Sequence, residues 1–275
     1  MESSDGLVVR ESGRWVKDKL YYLEHYLKIF SVGMHNKWLG KLYYVDLFSG
    51  PGRCFIRETR EEVDGSPLIA LKYDFANYFF FENDPACYDA LVKRIKTKAP
   101  DKIRSISVIQ GNCNDEITRV KPPASPSLGL AFIDPTGISQ LSFDTIRTLV
   151  KQRKMDLIIN FPEGMAIRMN LHQYRESENT ALDTFMGSDR WREQYKLQPT
   201  SFDQVCRLIA QEYLDNLRRL GYEVVDGSQV PVRTEGNTLL YYLLFASKNP
   251  KGNEFWKKIG TISSSGQRKL SFDFP

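Results

Sequence analysis

Apolar residues fall along this chain in two rhythms, and the two take turns. Between residues 14 and 30, Trp15, Leu20, Leu23, Leu27 and Phe30 recur mostly every three or four positions, the period of one helix face. After Gly40 the run KLYYVDLF is apolar and ends in the turn Ser49-Gly50-Pro51-Gly52, which predicts a buried first strand leading into a loop. The polar stretch from Arg53 to Asp64 reads as an insertion. Gly65-Ser66-Pro67 then marks a helix start, with Ser66 as N-cap and Pro67 at the first helical position. NYFFFEND predicts a second strand closed by carboxylates, and PACYDALVKRIKTK a helix with Tyr88, Leu91 and Ile95 on one face.

The pattern continues. SISVIQGNCND predicts a third strand, LGLAFIDPTG a fourth, SFDTIRTLVKQR a helix and MDLIINFP a fifth strand. Such alternation predicts an α/β fold: a mostly parallel, Rossmann-like sheet with helices on both faces. From Gly164 to about Pro199 the helical period weakens, and Met165, Arg168, Met169, Arg175, Met186, Trp191 and Arg192 sit among polar residues, as in an inserted lid or arm. FDQVCRLIAQEYLDNLRRLG restores an amphipathic helix stopped by Gly221, YEVVDGSQVPV and NTLLYYLLFASK predict an antiparallel strand pair at the sheet edge, and a helix and tail finish the chain. The expected organisation is one domain over residues 1–275: an N-terminal helical segment (1–40), a ligand-binding half (41–163), the insert (164–200) and a C-terminal helix, strand pair and tail (201–275).

Composition narrows the function classes. An apolar share of 41% over 275 residues can fill a core, and the excess of basic over acidic residues, 38 against 34, permits an anionic partner without defining one. The cysteines Cys54, Cys87, Cys113 and Cys206 show no CxxC or paired histidine spacing, which speaks against a zinc or iron–sulfur site and for a reduced, cytoplasmic protein. No apolar run reaches the roughly 18 residues of a membrane span.

In an open α/β sheet ligands bind beyond the carboxyl ends of the strands, and here every predicted strand ends in polar groups: Asp46-Leu47-Phe48-Ser49-Gly50-Pro51-Gly52, Glu82-Asn83-Asp84, Gly111-Asn112, Asp134-Pro135-Thr136-Gly137 and Asn160-Phe161-Pro162. Glycine at 50 and 52 lets the backbone approach a ligand closely, and Asp46 can order the loop or meet an ammonium group. Glu82 suits ribose hydroxyls, with Asp84 as a second candidate; Asn112 is either an acceptor for an adenine amino group or a turn former.

DLFSGPG resembles the first motif of class I S-adenosylmethionine-dependent methyltransferases. Within that superfamily YVDLFSGPG, FFFEND, GNCND, FIDPTG, INFP and the N-terminal helix look like the bacterial three-Cys-motif partner family, TcmP, over nearly the whole chain. A more distant similarity is to the bacterial 23S rRNA adenine-N6 methyltransferase. The resemblance implies S-adenosylmethionine as cofactor, held by Asp46, Phe48, Ser49, Gly50, Gly52, Glu82, Asn83, Asn112, Cys113 and Asp134. It implies methyl transfer to nitrogen or oxygen of a nucleic acid or modified nucleotide, with Asp134 and Asn160 orienting the acceptor, Asp134 as candidate base and Phe161 bounding the pocket. It also implies a radical-SAM-like three-Cys-motif protein as partner.

Thr136-Gly137 departs from the D/N-P-P-Y/F pattern of nucleic-acid amino-methyltransferases and lacks its aromatic, which leaves two readings: Phe161 supplies a stacking ring from the neighbouring strand, or the target is not a base. There is no Pro-Cys at this strand end to serve as a thiolate nucleophile, and His25, His35 and His172 share no spacing; of the three, His172 in the insert is the first candidate base, because imidazole titrates near neutrality. The insert's arginines with Trp191 and Tyr195 offer either a phosphate- and base-contacting surface or a solvated arm. The alternative to an enzyme is a noncatalytic accessory that binds S-adenosylmethionine or nucleic acid for the partner protein. NAD chemistry is disfavoured because SGPGRC lacks the last glycine of GxGxxG.

Overall fold

The computed structural model describes residues 3–151, 153–193, 201–224 and 229–261. A short strand, β1 (Arg10–Ser12), precedes the long helix α1 (Trp15–Met34), and a 3-10 turn at Asn36–Trp38 leads into β2 (Leu42–Asp46). A hairpin follows, β3 (Arg53–Ile56) and β4 (Glu61–Asp64), then α2 (Ser66–Ala70), β5 (Asn77–Glu82), α3 (Pro85–Lys98), β6 (Ile106–Gln110) and the single turn α4 (Cys113–Glu116). The second half runs through β7 (Leu128–Ile133), α5 (Phe143–Val150), β8 (Met155–Phe161), a π-helical turn at Glu163–Ile167, α6 (Arg168–Glu176) and α7 (Ala181–Met186). It closes with α8 (Phe202–Arg219), β9 (Val230–Arg233), β10 (Leu239–Ala246) and α9 (Pro250–Gly260).

Seven strands form one sheet in the order β6-β5-β2-β7-β8-β10-β9. Pairing is parallel from β6 to β8, and β10 runs antiparallel to both its neighbours. The chain moves outward from β2 to β6, then crosses back to lay β7 on the other side of β2. The strand order therefore reverses between β2 and β7, which is where an open sheet leaves a crevice at its carboxyl end. This order, with the reversed strand tucked in as a final hairpin, is the class I methyltransferase arrangement of the Rossmann-like fold.

Side-chain alternation divides the strands between two cores. Tyr43, Val45, Phe79, Phe81, Ile159 and Phe161 pack with α5, α7 and α8, whereas Leu42, Tyr44, Tyr78, Phe80, Phe132 and Ile158 pack with α1, α3 and α9. Carried to the strand tips, the same parity puts Asp46, Glu82 and Asn160 on the side covered by α1.

Three expectations change. The stretch 53–64 is not an irregular insertion: β3 and β4 pair antiparallel, and β1 pairs parallel with β3 to make a second, three-stranded sheet. Of the residues in β3 and β4 only Ile56 is buried, so no apolar alternation announces these strands. The N-cap of α2 is Gly65, with Ser66 as the first helical residue. Finally, Leu171, Leu182, Phe185, Met186 and Trp191 of the 164–193 stretch are buried. Trp191 donates to Asp183 at 2.9 Å, and Arg192 pairs with Asp183 and donates to the Tyr174 and Ser177 carbonyls. These two are therefore consumed in packing and form no nucleic-acid surface; Tyr195 and the Arg268-Lys269 tail lie outside the described residues. Among the described residues no helix is long and apolar enough to cross a membrane.

Candidate active site

The glycine loop is fixed by backbone bonds. Gly50 and Gly52 have φ of +62° and +87°, a region that favours glycine, and a Cβ on Gly52 would stand 3.1 Å from Leu91. Ser49 N–H donates to the Phe81 carbonyl at 2.9 Å, and Gly65 N–H to the Gly52 carbonyl at 2.8 Å, tying the loop to β5 and to the start of α2. From α3, the Arg94 guanidinium, only 2% exposed, donates to the carbonyls of Pro51 at 2.6 Å and Val8 at 2.7 Å. It also grips both oxygens of Asp5, at 2.9 and 2.8 Å. That bond is the largest reason the Asp5 carboxyl lies well below the usual carboxylate range. One buried cation thus staples the N-terminal segment to the loop.

Two cavities of about 210 and 220 Å³ lie along the strand tips and share Arg10 and Phe48. The first is lined by Gly50, Gly52, Asp134, Asn160, Trp15, Lys19 and Tyr241; the second by Glu82, Asn83, Gly111, Asn112 and Cys113. The strand ends therefore open onto one rim. Glu82 accepts the Asp84 N–H on Oε1 at 2.8 Å, and no bond from the described residues occupies its Oε2. Asp84 is spent as N-cap of α3, accepting the Cys87 N–H at 2.8 Å. Asn112 caps α4 by accepting the Asn114 N–H at 3.0 Å, the turn-forming role. The Cys113 thiol is buried and pushed up to about 12 by that burial.

Asp46 is fully buried; its Oδ1 accepts the Phe48 N–H at 3.2 Å, a bond that orders the loop, while its Oδ2 is buried without a hydrogen-bond partner among the described residues. Burial raises its carboxyl to about 7; the neighbouring Ser66 hydroxyl and the Phe48 N–H oppose the rise, and the Asp134 and Glu82 charges add to it. An acid raised on folding costs stability as pH climbs, because the unfolded chain gives up its proton first. The cost grows from near pH 4 to pH 7 and is then constant, at most ~4 kcal/mol. Asp46→Asn keeps an acceptor for Phe48. It should match wild type in urea unfolding near pH 4 and gain on it up to pH 7; a difference independent of pH would contradict this.

At the tips of β7 and β8, Asp134 is held between two donors. Asn160 Nδ2 donates to Asp134 Oδ1 at 2.8 Å and to the Pro135 carbonyl at 3.4 Å; Lys19 of α1 pairs with Oδ2 at 2.5 Å. Turning the Asn160 amide over would set its oxygen against the carboxylate, so the acceptor face must point away from Asp134. Asn160 Oδ1 is buried there without a hydrogen-bond partner among the described residues. An unmatched buried acceptor on the rim of a cavity suits a ligand N–H or O–H.

Phe161 does not bound this pocket. Its ring is wholly buried on the other face of the sheet, 5.9 Å from Phe185 and 5.2 Å from Tyr213 between ring centroids. Trp15, Phe48 and Tyr241 provide the aromatic surfaces instead. No histidine lines either cavity; His172 is exposed and faces Glu176 at 3.2 Å. Sequence reasoning missed Arg10, Trp15, Lys19 and Tyr241. Trp15 and Lys19 stand four apart on α1, which places them on one helix face, but nothing local shows that this face crosses the strand tips.

No family model matches the chain. No curated protein matches it either. Among solved structures, protein LPL1258 from Legionella pneumophila is 13% identical over 94% of this chain and 98% of that one, with a TM-score of 0.48. The putative methyltransferase yhhF from Escherichia coli is 14% identical over 88% and 91%, with a TM-score of 0.42. M. jannaschii TYW2, solved in complex with AdoMet, is 10% identical over 78% and 74%, with a TM-score of 0.33. With these TM-scores below 0.5, the class of the fold rests on its own strand order and reversed β10.

Proposed function

We propose that the protein is an S-adenosylmethionine-dependent methyltransferase whose acceptor is a nitrogen or oxygen of a nucleic acid or modified nucleotide. One observation supports this most: at the switch point of the sheet, a positive-φ glycine loop, the unoccupied Oε2 of Glu82 and the orphaned acceptor of Asn160 line adjoining cavities. The residues present fit the cofactor. The Ser49–Gly52 backbone and Arg10 would hold its amino-acid end, and Glu82 with Asn83 and Asn112 its nucleoside end. Bound, it supplies an electrophilic methyl group on a cationic sulfur.

Direct methyl displacement needs alignment more than proton chemistry, so rigid acceptor groups carry the catalysis. Asn160 Oδ1 and the Pro135 carbonyl would take hydrogens from the acceptor amine or hydroxyl and fix the direction of its lone pair. Asp134 would receive the proton released. Labelled-methyl transfer into separated tRNA, rRNA, DNA and protein fractions tests the proposal; no transfer into nucleic acid, with or without the partner, would refute the acceptor class.

A second reading is the noncatalytic accessory of a radical-SAM-like three-Cys-motif partner. It is favoured by the Lys19 ammonium, which already occupies Asp134 where an acceptor would be oriented. Cofactor binding by calorimetry, with no methyl transfer in the partner's presence, would decide for it. Under the enzymatic reading, Lys19→Met leaves cofactor affinity unchanged and alters the acceptor KM.

A further inference from the structure

The sheet has a second concavity at its opposite end. The first residues of β7 and β8, Leu128 and Met155, open onto a cavity of about 520 Å³ with Trp38 and Phe255 among its walls. Counting along β7 at about 3.3 Å per residue, it lies roughly 20 Å from Asp134. Its volume falls within the range of small-molecule sites.

Four lysines, Lys37, Lys154, Lys248 and Lys251, border this cavity. None of them is ion-paired among the described residues, whereas Lys17, Lys19, Lys72 and Lys102 each hold a carboxylate. The one acid lining the cavity among the described residues, Asp156, has its oxygens taken by Ser247 at 2.6 Å and Tyr26 at 2.8 Å. Two of the cations rest on rings: Lys154 Nζ lies 5.4 Å from the centroid of Trp38, a wall of the cavity, and Lys248 Nζ 4.8 Å from that of Tyr222, which lies outside the lining. The start of α9, capped by Asn249, adds its positive end to the same rim. Aromatic walls beneath unpaired cations match a flat ring that carries an anion.

We propose that this cavity binds a small aromatic or heteroaromatic anion, its ring against Trp38 and Phe255 and its phosphate or carboxylate on the lysine rim. The site is separate from the cofactor crevice and does not depend on the methyltransferase reading. Calorimetry on the whole chain, with S-adenosylhomocysteine added to saturation, tests it using guanosine 5′-monophosphate, indole-3-acetate and inorganic phosphate as probes. Binding of either ring compound is expected, the nucleotide alone marking a phosphate ligand and the indole alone a carboxylate. Lys154→Glu with Lys248→Glu should weaken it about tenfold or more, because two charge-assisted contacts are lost. Trp38→Ala should weaken it too, and the double lysine variant should keep the wild-type melting temperature because its altered side chains are exposed on the cavity rim. The proposal is overturned if neither ring compound binds, if inorganic phosphate binds as tightly, if both variants bind like wild type, or if S-adenosylhomocysteine displaces the probe.

Discussion

An Asp134→Ala protein is expected to bind S-adenosylmethionine within about threefold of wild type yet to transfer methyl on the order of 100-fold more slowly, the scale of losing a positioned proton acceptor. Asp134 anchors the Asn160 amide at 2.8 Å, so its removal also frees the orphaned acceptor of Asn160 to rotate. The substitution strands Lys19, whose side chain is 14% exposed, and some stability goes with it. Adding Lys19→Met removes the stranded charge, so the double variant should regain stability and stay slow. A single variant that transfers normally while Glu82→Ala loses cofactor would show that the acceptor side was misassigned and the cofactor side was not.

The second large effect concerns Arg94. Replacing it with methionine leaves the Pro51 and Val8 carbonyls without their donor and frees Asp5, an exposed carboxylate, from its cation, a loss of about 2–3 kcal/mol that comes chiefly from the stranded carbonyls. Cofactor affinity should fall about tenfold as well, since the loop that carries Gly50 and Gly52 loses its tether to α3. Arg94→Lys keeps the charge but not the five-donor fork, and is expected to recover only part of either loss. Because Asp5 is depressed on folding, its share of the stability is full above about pH 4 and disappears as pH falls below that. Urea unfolding at pH 7 checks the magnitude; a change under 1 kcal/mol would mean the staple is ornamental.

Most of the main sheet was legible, because buried parallel strands leave runs such as YFFF and LGLAFI with glycine or carboxylate ends that need no tertiary information. The hairpin 53–64 was not: its pairing with β1 joins residues more than forty positions apart, and its faces bury almost nothing. Asn160 and Phe161 show what the sequence did contain and a motif reading overlooked. Adjacent strand residues face opposite ways, so a polar Asn160 turned to the crevice already obliges Phe161 to enter the other core. Lys19 is the reverse case, since its partner lies 115 residues away and no local pattern points to it. Ser66 followed the usual cap signal and missed by one position, its hydroxyl lying beside Asp46.

A crystal structure with S-adenosylhomocysteine bound is the most direct test of the site as a whole. The ribose hydroxyls should sit within hydrogen-bond distance of Glu82, with the amino-acid end over Gly50–Gly52 and the sulfur turned toward Asp134 and Asn160. A ligand lodged away from the tips of β2, β5 and β7, or a protein that takes up none at millimolar concentration, would contradict the account.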